Sequence, residues 1–79
     1  MDIKVFMTNK CNYIPNGTEI YTNVSELEYD EDFGLTFIAD FGAFPVKRKT
    51  YRFKPFELEK FQIGDFSKDL YKTCIVNNI

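Results

Sequence analysis

Apolar and polar side chains alternate with a period of two over most of the chain, and this alternation predicts a protein built largely of strands. Ile3, Val5 and Met7 alternate with Asp2, Lys4 and Phe6, giving a first strand over residues 2–8. Pro15-Asn16-Gly17 lies between Tyr13-Ile14 and Ile20-Tyr21 and predicts a tight turn, because proline presets φ while Asn and Gly tolerate positive φ. The segment from Tyr21 to Tyr29 reads as extended. Its apolar positions change phase between Val24 and Leu27, which predicts a bulge or a strand that starts late. Asp30-Glu31-Asp32 then predicts a turn closed near Gly34.

The cleanest strand follows. Leu35, Phe37, Ala39 and Phe41 share one face, with Thr36, Ile38 and Asp40 on the other. Gly42-Ala43-Phe44-Pro45 breaks it, and Val46–Lys54 forms the next strand. There Tyr51 and Phe53 lie in phase with Lys47 and Lys49, opposite Arg48, Thr50, Arg52 and Lys54. Residues 55–64 carry two conflicting signals. Pro55 at a first helical position and the acids Glu57 and Glu59 suit a helix, yet Phe56 and Ile63 would point away from Leu58 and Phe61. A strand with a bulge near Glu59-Lys60 fits better. Phe66, Leu70 and Cys74 recur at i, i+4 and i+8 after the capping candidates Asp65 and Ser67, which predicts a short helix over residues 66–75.

The expected fold is therefore α+β: one domain over residues 1–79, a small antiparallel sheet or open barrel of about five strands, with a short C-terminal helix. The expected core comprises Val5, Ile20, Val24, Leu27, Leu35, Phe37, Ala39, Phe41, Tyr51, Phe53, Leu58, Phe61 and Leu70.

Size makes that core demanding. A chain of 79 residues buries only about 60–65% of the surface its unfolded form exposes, so nine Phe and five Tyr substitute ring area for length. A net charge of −2 argues against nucleic acid and anionic membranes as partners. No apolar run approaches a membrane span and no signal-type segment opens the sequence, so a cytoplasmic protein with reduced Cys11 and Cys74 is expected. Abundant Asn, Lys, Ile, Phe and Tyr give the chain a style similar to short phage and mobile-element proteins, with no motif behind the likeness.

Candidate chemistry narrows by subtraction. The chain has no histidine, Ser25 and Ser67 have no activating neighbour in sequence, and Cys11 beside Lys10 reads as a loop thiol or a small buried apolar residue. Catalysis, a cofactor and a bound metal are not expected. In the acidic run Glu26, Glu28, Asp30, Glu31, Asp32, alternate carboxylates suit a calcium loop locally, but the required Gly and distal Glu are missing. The run then reads as a nucleic-acid mimic or, better, as a charged hairpin turn. The basic run Lys47, Arg48, Lys49, Arg52, Lys54 carries the ingredients of single-strand binding, yet pleating turns Arg48, Arg52 and Lys54 away from Tyr51 and Phe53. A cross-strand ladder to Asp40, Glu57 or Glu59 suits them better.

Phe44 stands apart. A large ring in a loop has no pleat to hide it, so it either anchors a contact or plugs an open end of the sheet. The expected function is a non-catalytic binding protein that occupies and inhibits a host protein. Phe44 would hold the partner, while Lys47, Arg48, Arg52, Lys54 and Glu28, Asp30, Glu31, Asp32 steer it. The alternatives are sequestration of a small phosphorylated ligand by Arg48, Arg52 and Lys54, or a subunit that completes its sheet as a homodimer.

Overall fold

A computed structural model describes residues 1–11 and 17–76. Seven strands follow one another: β1 (Asp2–Met7), β2 (Thr18–Tyr21), β3 (Ser25–Asp30), β4 (Gly34–Phe41), β5 (Lys47–Phe53), β6 (Leu58–Asp65) and β7 (Leu70–Ile75). They form two antiparallel sheets, one ordered β2-β1-β6-β7 and the other β3-β4-β5. The turn expected at Pro15-Asn16-Gly17 falls partly outside the described residues.

This is an all-β protein, which corrects the α+β expectation and its count of about five strands. The helical segments among the described residues are two 3-10 turns of three residues each, Pro55–Glu57 and Phe66–Lys68. The C-terminal helix does not form. An i, i+4 recurrence satisfies a period of two as well as 3.6, and Leu70 and Cys74 lie on one face of β7. The capping residues act differently too. Asp65 Oδ1 accepts from the Ser67 N–H at 3.1 Å and the Ser67 hydroxyl at 2.6 Å, and Asp69 at φ 54° ends the turn. The polar cluster read as a helix cap therefore closes a hairpin instead.

Two bulges fall where the apolar phase breaks. Register shifts between Ser25 and Glu28, with Glu26 at φ 51°, and Glu59 is the extra residue between Phe6↔Lys60 and Met7↔Leu58. Pro55 does open a helical turn, but only one. The Lys54 N–H donates to Glu57 Oε1 at 2.9 Å, the Glu57 N–H returns to the Lys54 carbonyl at 2.9 Å, and the chain enters β6.

The two sheets pack face to face over one core: Ile3, Val5 and Met7 of β1, Leu35, Phe37 and Ala39 of β4, Phe53, Leu58, Phe61, Val24 and Cys11. Phe37 is its centre. Its ring stacks on Tyr51 (centroids 5.5 Å apart) and Phe53 (6.1 Å), while Tyr21 meets it edge-on at 5.2 Å. Three expected core residues are exposed instead. Tyr21 takes the inward position opposite Ile3, which turns Ile20 outward; Phe41 keeps the phase of Phe37 but lies at the exposed end of β4; and Leu70 sits on an edge strand. Leu27 and Tyr51 pack against the core while half-buried.

Candidate functional site

The β4–β5 connection is the most unusual surface on the molecule. From Phe41 to Val46 the sequence holds no polar side chain, and all six residues are exposed. Phe44 is 97% exposed, so the plug reading fails and the ring stands in solvent. Phe41 and Val46 are each at least half as exposed as they would be in an open chain. A loop has no opposing sheet to cover such residues, which is why the apolar run stays on the surface.

Cations frame this tip. Lys47, Arg48 and Lys49 open β5 directly after Val46, and all three are exposed. The Lys49 ammonium sits 4.9 Å from the Phe41 ring centre and 5.3 Å from that of Tyr51, bridging the tip to the aromatic core. Below it, Glu19, Tyr21, Lys49, Tyr51 and Arg52 line a cleft of about 480 Å³ at the β2–β5 side of the molecule.

Arg48 is already occupied. Register pairs it with Asp40, and its guanidinium donates to Asp40 Oδ1 at 3.0 Å, to Ser25 Oγ at 2.7 Å and to the Asn23 carbonyl. Asn23, at φ 53°, donates its amide to Asp40 Oδ2 at 2.5 Å. This cluster ties the corner between β2 and β3 to β4 and β5. The cross-strand ladder expected from the sequence thus exists at one rung, Asp40–Arg48. Glu57 does not extend it, being spent on the Lys54 backbone, and Lys54 itself reaches over the Phe56 ring at 5.9 Å. Arg52 and Glu28 flank Thr36 on the outer face of the three-stranded sheet.

The acidic run occupies the opposite end of β4. Asp30 Oδ1 accepts from the N–H groups of Asp32 (2.7 Å) and Phe33 (3.2 Å), so this carboxylate closes the β3–β4 turn. Glu28, Glu31 and Asp32 are exposed, and Phe33 beside them is almost fully so. Phe33, Phe41 and Val46 are surface groups that sequence reasoning missed. For Val46 the available signal was the unbroken apolar stretch around a Gly and a Pro; Phe41 ends β4 in the phase of its core residues, and Phe33 stands in the turn that Asp30-Glu31-Asp32 already marked.

The corner cluster carries a pH prediction. Hydrogen bonds from Asn23 and then Arg48 hold the Asp40 carboxyl below its ordinary value of 3.8. A depressed folded-state pKa contributes stability above the unfolded value, and that contribution is lost as pH falls through the folded value. Asp40→Asn is therefore expected to melt below the wild type at pH 7. The gap should close as pH drops below about 4. Thermal melts of both proteins between pH 3 and 7 check this, and a gap that does not change with pH would exclude it.

Among the described residues, no helix is long and apolar enough to cross a membrane, and no three His, Cys, Asp or Glu side chains are grouped to hold a metal ion. Cys11 and Cys74 are free thiols, with Cys11 buried against the Met7 sulfur at 3.5 Å. Comparison with protein-family models, with curated proteins and with solved structures returns no match.

Proposed function

We propose that the protein is a non-catalytic binding module that inserts the tip of its β4–β5 hairpin into an apolar pocket, rimmed by carboxylates, on a partner protein. One observation carries the reading: Phe44 stands 97% exposed at the centre of an all-apolar loop that runs straight into Lys47, Arg48 and Lys49. Exposed aromatic anchors provide affinity by desolvation, and flanking charges set orientation and on-rate. The net charge of −2 favours a protein pocket over an anionic lipid surface. The small size and phage-like composition support reading the partner as a host protein that this chain occupies and blocks. Sequestration of a phosphorylated ligand by Arg48, Arg52 and Lys54 has less geometric support, because Arg48 is engaged by Asp40 and Lys54 lies over Phe56.

A photo-crosslinking aromatic residue at position 44 tests this in host lysate. It is expected to label one dominant protein, with wild type competing for the label and Phe44→Ala competing about 30-fold more weakly. The same probe at Ser67, in the β6–β7 turn, should label nothing above background. Phe44→Ala should melt with the wild type. Equal labelling from positions 44 and 67, or binding to anionic vesicles in place of a protein, would overturn the reading.

A further inference from the structure

Four strands end a sheet, and three of them carry features that discourage pairing with another chain. β2 is only four residues long. β3 is broken by its bulge and exposes Glu26, Glu28 and Asp30. β5 carries Lys47, Arg48, Lys49 and Arg52. β7 carries the fewest of these features. It runs six residues opposite β6 without a register shift and holds a single charge, Lys72. It also exposes Leu70 (67%), Tyr71 (47%) and Ile75 (67%), and among the described residues no strand lies along its outer edge.

We infer that β7 is a self-association edge, on which a second copy of the chain lays its own β7 antiparallel so that two four-stranded sheets become one. The backbone phase fits. Val76 N–H donates to the Glu59 carbonyl at 3.1 Å, so Leu70, Lys72 and Cys74 turn their peptide groups toward β6 while Tyr71, Thr73 and Ile75 turn theirs outward. A two-fold axis through Thr73, perpendicular to the sheet, uses every outward group. Thr73 then faces Thr73 of the second copy, Tyr71 faces Ile75 and Ile75 faces Tyr71, making about six inter-chain hydrogen bonds.

Side chains select the same register. Centred on Thr73, the exposed Tyr71 ring meets the exposed Ile75, a cross-strand pairing of aromatic with β-branched side chain, while Lys72 lies opposite Cys74 and Leu70 opposite Val76. An axis at Lys72 would instead set that ammonium against its own copy. Axes at Tyr71 or Cys74 would leave one end of the strand unpaired. The inner side of β7 favours a second copy as well. Tyr29 of β3 packs on Phe61 of β6, at 5.5 Å between ring centres, and Cys74 packs against the core, but beyond them Leu70 and Lys72 are exposed, so the three-stranded sheet leaves this end of the face uncovered. This inference does not depend on the hairpin tip, and a dimer would simply carry two tips.

Light scattering of the full chain across a concentration series tests the proposal. The mass is expected to rise from 9.3 kDa toward twice that value as concentration rises. Thr73→Lys, which sets two ammonium groups face to face on the axis, should weaken the association at least tenfold; it also removes the exposed 3.1 Å bond from Gln62 Nε2 to Thr73 Oγ1, a loss that should lower the melting temperature of the dilute protein only slightly. Hydrogen exchange on the wild type decides the matter even if that variant folds poorly. The amides of Tyr71, Thr73 and Ile75 should exchange at least tenfold more slowly in concentrated than in dilute solution. A wild-type mass fixed at 9.3 kDa up to about 1 mM, or association that Thr73→Lys leaves intact, would overturn the proposal.

Discussion

Gly34→Ala is expected to destabilise the fold by about 3 kcal/mol or more, a large part of the roughly 4–12 kcal/mol that holds a domain of this size together. Gly34 opens β4 at φ 96°, immediately after the turn that Asp30 closes. A side chain in that backbone region costs about 1–2 kcal/mol by itself. Lack of space costs more. A Cβ on Gly34 would fall well inside contact distance of the Phe53 carbonyl oxygen and 3.1 Å from the Lys54 Cα. Both obstacles are backbone, so no rotamer change relieves them. β5 would have to move at the point where Leu35 pairs with Phe53 and both side chains enter the core. Gly42→Ala separates the two costs, because its φ is also positive, at 84°, but its nearest obstacle, the Pro45 carbonyl oxygen, is 3.6 Å away. Urea denaturation should show Gly42→Ala losing only the backbone share and Gly34→Ala losing that share plus the clash. Equal losses in the two variants would rule out the steric clash as the cause.

The strands that were legible in the sequence are those whose two faces differ. β4 alternates apolar with polar side chains over nearly its whole length, because Leu35, Phe37 and Ala39 meet the core while Thr36 and Ile38 face away from it. The bulges were legible for the same reason, since an extra residue must shift the phase of everything after it. β7 was not. On this edge strand Cys74 packs against the core while Leu70 and Lys72 on the same face are exposed, so burial imposes little alternation, and the i, i+4 spacing of Leu70 and Cys74, which a strand also satisfies, read as helical. The site divides along the same line. Arg48 and Asp40 could be paired from register alone, whereas the groups that complete their cluster come from Asn23, at a positive-φ corner that no periodicity marks, and from Ser25, the first residue of β3. Phe44 was legible because a loop is where the pattern stops. Phe41 was not, because it keeps the phase of a core residue at the exposed end of its strand.

Phe37→Ala is expected to cost about 3–5 kcal/mol, enough to leave the chain largely unfolded at ambient temperature if its stability lies at the low end for its size. Phe37 is fully buried in the middle of β4, between Leu35 and Ala39, and its ring is the shared partner of Tyr21, Tyr51 and Phe53. Removing it opens a cavity that those rings cannot close without leaving their strands. Tyr21 belongs to the four-stranded sheet and Tyr51 and Phe53 to the other, so the loss would fall on the contact between the two sheets. The near-UV circular dichroism of the tyrosines should collapse together with the far-UV signal in a single transition. Lys49 lies over Tyr51, the ring that stacks on Phe37, so the cationic frame of the hairpin tip rests on the same aromatic cluster. Phe44→Ala supplies the contrast. It removes the same side chain from a site with almost no burial and should leave the urea midpoint where it was. Of nine phenylalanines in the chain, one at the centre of the core and one at the tip of a loop then mark the two uses of ring area, cohesion in the first case and contact in the second. A Phe37→Ala protein that keeps its wild-type midpoint would mean that the two sheets are held together by contacts other than this ring cluster.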